Sequence, residues 1–206
     1  MKNNEDYIEK IEGAERRYFT QDMEVRAEGE NEMIEGIEAV VNTRTHMGGY
    51  DEEGMVGAFD EVMQDDVRCL LNHDPNFVLA RSNKGEGTLA LSINERGDLA
   101  YRYKTPNRTY AKDLEDAIRT GDVSQSSFGF SIKEDVWEKG DDGRDVRKIV
   151  RCGRLFDVSP VGFPAYESTS TTIAKRSFES QKKVEFESDF TKHNELKRKE
   201  LKSKKK

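Results

Sequence analysis

Residues 125–156 constrain this chain more than any other stretch, because they read as two long strands joined by a tight turn. Phe128, Phe130 and Ile132 alternate with Ser127, Gly129 and Ser131, the period of two that puts one set on each face of a strand. Trp137 continues the run towards Gly140-Asp141-Asp142-Gly143, turn residues whose return strand is Val146 to Phe156. A hairpin with one apolar face needs further strands or helices to cover that face. The expected fold class is α+β, mainly β.

The rest of the chain supplies those elements. Val25, Ile34, Ile37, Val40 and Val41, broken by Gly29 and Gly36, predict a hairpin ending in the run Ile34 to Thr43. Met47 to Asp51 reads as a loop, and the spacing of Met55, Phe59, Val62 and Met63 predicts a short amphipathic helix. Val67 to Leu71 is a buried strand stopped by Asn72-His73-Asp74-Pro75. Leu89, Leu91 and Ile93 form a hairpin with Leu99, Tyr101 and Tyr103. Tyr110, Leu114, Ala117 and Ile118 then give a helical stripe stopped at Gly121. Asp157 to Tyr166 carries Pro160 and Pro164, so it is expected to wrap a barrel or sheet edge rather than run as a central strand.

The ends read differently. Residues 1–15 are charged and expected to be flexible, and residues 175–206 form a charged tail, flexible or helical. The net charge is −7, but from Lys192 onward eight Lys or Arg face only Glu195 and Glu200, a local +6 that leaves −13 on the body. An acidic body argues against a specific nucleic-acid partner. No apolar run reaches the roughly 18–20 residues that cross a bilayer, so no membrane role is expected. Cys69 and Cys152 lie in strand-like segments and match no metal-ligand spacing, so free thiols are expected, with neither metal nor cofactor.

Ser127 sits where a strand begins, a rigid place for a nucleophile, but a serine hydroxyl needs a base within reach. Of three histidines, His193 lies in the tail and His46 beside a glycine loop, which leaves His73 at a strand end. A third group should fix the other imidazole nitrogen; Asp157 and Asp74 are the candidates, and Asp157 is preferred because a buried carboxylate needs a partner. A salt bridge from Asp157 to Arg154 is the competing account.

Three blocks, Leu71-Asn72-His73-Asp74, Gly121 to Phe130 and Asp157 to Tyr166, with Ile34-Glu35-Gly36 before them, resemble in order and spacing the tailed-phage prohead proteases of capsid maturation. The resemblance spans residues 16–174 and implies a catalytic domain there, with a β-barrel surrounded by helices like that of herpesvirus assembly protease. It implies a serine endopeptidase with Ser127, directly before Phe-Gly-Phe, as nucleophile and His73 as base. The neighbouring Ser126 is a departure from the family pattern, and Asp157 stands where the family has Glu or Asp before Val-Ser-Pro.

The implied reaction is acyl transfer, with Arg151 or Arg154 as candidate helpers at the oxyanion. The implied substrates are scaffold, capsid-protein extensions and the protease itself, inside the assembling prohead in the host cytoplasm. The implied partners are the major capsid protein and scaffold, with self-association left open and the basic tail either a docking segment or a solubilising one. The alternatives are a non-enzymatic assembly protein with the same fold and a small-molecule serine hydrolase.

Overall fold

The computed structural model describes residues 11, 13–19, 23–28, 31–162 and 183. Residues 1–10, the Phe163 to Tyr166 segment and the basic tail with His193 lie outside them, as do the readings made for those segments.

The strands in chain order are β1 (Ala14–Phe19), β2 (Glu24–Glu28), β3 (Asn31–Ala39), β4 (Arg44–His46), β5 (Asp51–Gly54), β6 (Val67–Leu71), β7 (Asp74–Asn83), β8 (Glu86–Gly87), β9 (Leu89–Ile93), β10 (Leu99–Lys104), β11 (Gln125–Lys139) and β12 (Asp145–Val161). One α-helix, α1 (Thr109–Thr120), interrupts them among the described residues. The fold is mainly β, as the alternation required. The larger sheet runs β1-β11-β12-β6-β7-β8, with β5 also on β12 and β4 on β5; the smaller runs β2-β3-β10-β9. Among the described residues these strands close no barrel, and a single helix does not surround them, so that part of the expected architecture is corrected.

The β11–β12 hairpin is the frame. It pairs antiparallel from Gln125↔Val161 to Lys139↔Asp145, and both β5 and β6 lie parallel to β12. The core fills the space between the sheets: Ile34, Leu99, Tyr101 and Tyr103 from the smaller one cluster with Phe128, Phe130, Leu155, Val158 and Cys69 from the larger, joined by Ala111, Leu114 and Ile118 of α1. The α1 stripe ends as expected, Gly121 taking a left-handed φ of +82° and donating its N–H to Ile118 O. Gly36 matters for position: a Cβ there would come within 2.5 Å of the Tyr101 ring, so only glycine lets that ring lie across β3.

Three local expectations change. The segment 55–63 forms successive tight turns and a 3-10 helix at Asp60–Val62 rather than an α-helix, because Gly57 at φ +86° breaks it; Phe59 and Val62 still enter the core. β7 begins at Asp74 despite Pro75, since the ladder skips from Leu71↔Asp74 to Leu70↔Val78 and bulges the proline out. β12 runs through Pro160 in mid-sheet rather than along an edge: Pro160 lies opposite Ser126, and its carbonyl accepts the Asn72 N–H at 3.0 Å.

Candidate active site

Each of the three expected residues is delivered by a different structural device. His73 is the second residue of a two-residue turn between β6 and β7, with Asn72 at φ +52° and His73 at φ +59°. Two positive φ values give the hairpin turn whose twist matches its strands, at a cost near 1 kcal/mol for a residue with a side chain. The tip is pinned to the end of β12: Asn72 N–H donates to Pro160 O, and Gly162 N–H donates to Asn72 Oδ1 at 2.9 Å. Those bonds hold the strained turn where the imidazole reaches the β11–β12 surface.

Ser127 lies within β11, flanked by Tyr18 on β1 and Ser159 on β12. Asp157 is opposite Gly129 and, on its other side, Arg68 of β6. Cross-strand partners share a face, so Ser127, Ser159 and Asp157 stand on one face, with Ser127 and Asp157 in diagonal positions about 7–8 Å apart along the backbone. The imidazole bridges that diagonal. His73 Nε2 is 2.7 Å from Ser127 Oγ and His73 Nδ1 is 2.5 Å from Asp157 Oδ1. Asp157 as a carboxylate only accepts, so Nδ1 carries the proton and Nε2 is free to accept from the serine hydroxyl. Ser159 Oγ adds a second donor to Asp157 Oδ1 at 2.9 Å.

The rival candidates fall elsewhere. Ser126 points to the opposite face, 2.9 Å from Tyr101 Oη. Asp74 accepts from the Asn76 backbone and side chain beside the turn. Arg154 stacks over the Phe156 ring and lies opposite Ser131, four residues and about 13 Å along β11 from Ser127 at ~3.3 Å per residue. Arg151 pairs with Glu134 and Glu61, farther still along the hairpin. His46 bonds Asp51 at 2.9 Å on β4, away from the three. Both cysteines are free and buried, and burial pushes their thiols up. Among the described residues no group of three His, Cys, Asp or Glu is arranged to hold a metal, and no helix is long and apolar enough to cross a membrane.

Comparison with protein families decides what kind of chain this is. Residues 21–184 match the family described as caudovirus prohead serine protease. The chain belongs to that family. As a member of it the protein is a protease, and the family's role is capsid maturation. Among solved structures, the bacteriophage T4 capsid assembly protease gp21 is a distant match, 14% identical, with a TM-score of 0.42, covering 72% of this chain and 98% of that one. No curated protein matches significantly.

One buried group near the site went unread in the sequence. Glu38 on β3 is fully buried and accepts the Ser159 N–H at 3.2 Å through Oε1. Burial, reinforced by the Asp157 charge, pushes its carboxyl well above the usual carboxylate range. The signal was available: Ile34, Gly36 and Glu38 share one face of a strand, so a charge falls at an inward position.

Proposed function

We propose that this prohead protease cleaves peptide bonds through Ser127, His73 and Asp157. The observation that carries the reading is the single imidazole in hydrogen-bond contact with both a serine and a buried carboxylate, at 2.7 and 2.5 Å. His73 Nε2 takes the Ser127 proton as Oγ attacks the scissile carbonyl. The C–N bond then breaks as His73 returns that proton to the leaving amine. Water repeats the sequence on the acyl-enzyme, releasing the new carboxyl terminus and restoring Ser127. Asp157 holds Nδ1–H in the required tautomer and stabilises the imidazolium formed in each half-reaction.

The proposed substrates are scaffold or capsid-protein extensions and the protease itself, cut inside the assembling prohead, with the major capsid protein and scaffold as partners. The proposed catalytic domain is residues 16–174, carrying a basic tail from 175, and kinship with the herpesvirus assembly protease fold belongs to the same reading.

Co-expression with the cognate scaffold tests the proposal. The wild-type chain should fragment the scaffold or itself and Ser127→Ala should not; undiminished fragmentation by Ser127→Ala would overturn it.

A further inference from the structure

The two strands that set His73 against Asp157 are joined by a very short ladder. β6, whose hairpin tip bears His73, pairs with β12 only at Arg68↔Asp157 and Cys69↔Val158. They meet again at the tip, through Asn72 N–H and Pro160 O. Between those two points lies Ser159, fully buried, whose N–H donates to Glu38 Oε1 of β3 at 3.2 Å. Ser159 Oγ then donates to the same Asp157 oxygen that receives His73 Nδ1–H. One residue therefore separates Glu38 from the carboxylate behind the imidazole.

Packing alone does not account for a glutamate here. An unbranched apolar side chain would fill the same space without the cost of burying a polar group. The polar groups that act on Glu38, or that it acts on, include Ser159 and Asp157 from β12, Ser126 from β11, Cys69 from β6 and Tyr101 from β10. None of these is a cation. Burial and Asp157 both oppose ionisation of this carboxyl, which accepts the Ser159 N–H through Oε1.

We propose that Glu38 is a positioning residue, fixing β12 at Ser159 and thereby holding Asp157 on His73. The inference rests on the reading of Ser127, His73 and Asp157 given above. Glu38 touches neither substrate nor reacting atoms, so its removal should slow the chemical step and leave binding alone.

The experiment measures phosphonylation of Ser127 by a fluorophosphonate probe in the full chain, separating the maximal rate from the probe's half-saturation. Glu38→Gln keeps an acceptor for Ser159 and should stay within about threefold of wild type. Glu38→Met keeps the volume but lacks that acceptor; its maximal rate should fall about 10- to 100-fold, as sub-ångström misplacement of a reacting group does, with half-saturation unchanged. In a Ser127→Ala background the downfield proton resonance of His73 Nδ1–H should persist in Glu38→Gln and move or vanish in Glu38→Met. Should the methionine variant not fold, Glu38→Asn withdraws the acceptor by one methylene and replaces it. Equal behaviour of the glutamine and acceptor-deficient variants, or an unmoved resonance with wild-type rate in the latter, overturns the proposal. Labelling that persists in Ser127→Ala overturns the reading of Ser127 instead, so the two failures are distinct.

Discussion

Ser126 and Ser127 are adjacent on β11 yet serve opposite faces of the sheet: Ser126 Oγ lies 2.9 Å from Tyr101 Oη in the core, and Ser127 Oγ lies 2.7 Å from His73 Nε2. Their alanine variants should therefore fail in different ways. Ser127→Ala should abolish cleavage while unfolding at close to the wild-type denaturant concentration. Ser126→Ala should retain cleavage and lose about 1 kcal/mol of stability, because Tyr101 Oη still reaches Met23 Sδ at 3.0 Å. Proteolysis assays beside urea titrations of both variants check the pair; loss of cleavage in Ser126→Ala alone would reverse the assignment.

Asp157 accepts from His73 and Ser159 in a fully buried setting, and an amide there can present a donor where a carboxylate only accepts. Asp157→Asn should thus favour the wrong imidazole tautomer and lower kcat by about 10⁴-fold, the scale seen for such a change in serine proteases, with KM little altered. A variant within tenfold of wild type in steady-state peptide cleavage would move the orienting role to another group.

What could be read in advance divides along a physical line. The β11–β12 hairpin, the β9–β10 hairpin and α1 follow from local periodicity and turn residues, which is why Phe128, Tyr101 and Leu114 were assignable to the core from the sequence. His73 was singled out by elimination, but the left-handed turn that aims it depends on Asn72 bonding to Pro160 and Gly162, some 90 residues away. Strand order is likewise non-local: nothing near Pro160 announces that β6 lies parallel beside β12, and so the segment read as an edge. Glu38 was overlooked because an isolated acid in an apolar run is usually a solvated position, and its partner Ser159 is 121 positions distant.

The Asn72 turn gives a test of how the histidine is aimed. Asn72→Gly keeps the positive φ but loses the side-chain link to Gly162, whereas Asn72→Ala loses both that link and ease in the left-handed region. Alanine should be less stable than glycine by about 1 kcal/mol, and both should cleave more slowly than wild type. Thermal melts and cleavage rates measured together check this; equal melting of the two variants would mean the turn relaxes to another conformation.

Arg17 anchors β1 to the rest of the larger sheet. Its guanidinium donates to Glu15 and Glu52, and Arg147 joins the same buried cluster. Burial alone would raise the Glu52 carboxyl, but Arg17 and Arg147 outweigh it and hold it below its ordinary range. Arg17→Met leaves two buried carboxylates facing Arg147 alone, and should cost about 3–5 kcal/mol in chemical denaturation. Amides of residues 126–131, the ladder partners of β1, should exchange faster in this variant. A cost below about 1 kcal/mol would show that the cluster contributes little beyond its own desolvation.

Glu38 also sets a signature in the pH dependence of stability. Its folded carboxyl is held well above the ordinary 4.5 by burial and by Asp157, so the folded chain keeps this proton at pH values where the unfolded chain has released it. The folded state then binds more protons than the unfolded one, and stability falls as pH rises above about 4.5, by up to ~1.4 kcal/mol per pH unit, until the folded group itself ionises. Below pH 4 both states are protonated and the penalty is absent. Glu38→Gln cannot titrate, so its stability relative to wild type should be lowest in acid and increase as pH rises above about 4.5. Urea titrations of the two proteins from pH 4 to 8 measure that difference directly; parallel curves would mean that Glu38 ionises in the folded state as it does in the unfolded one.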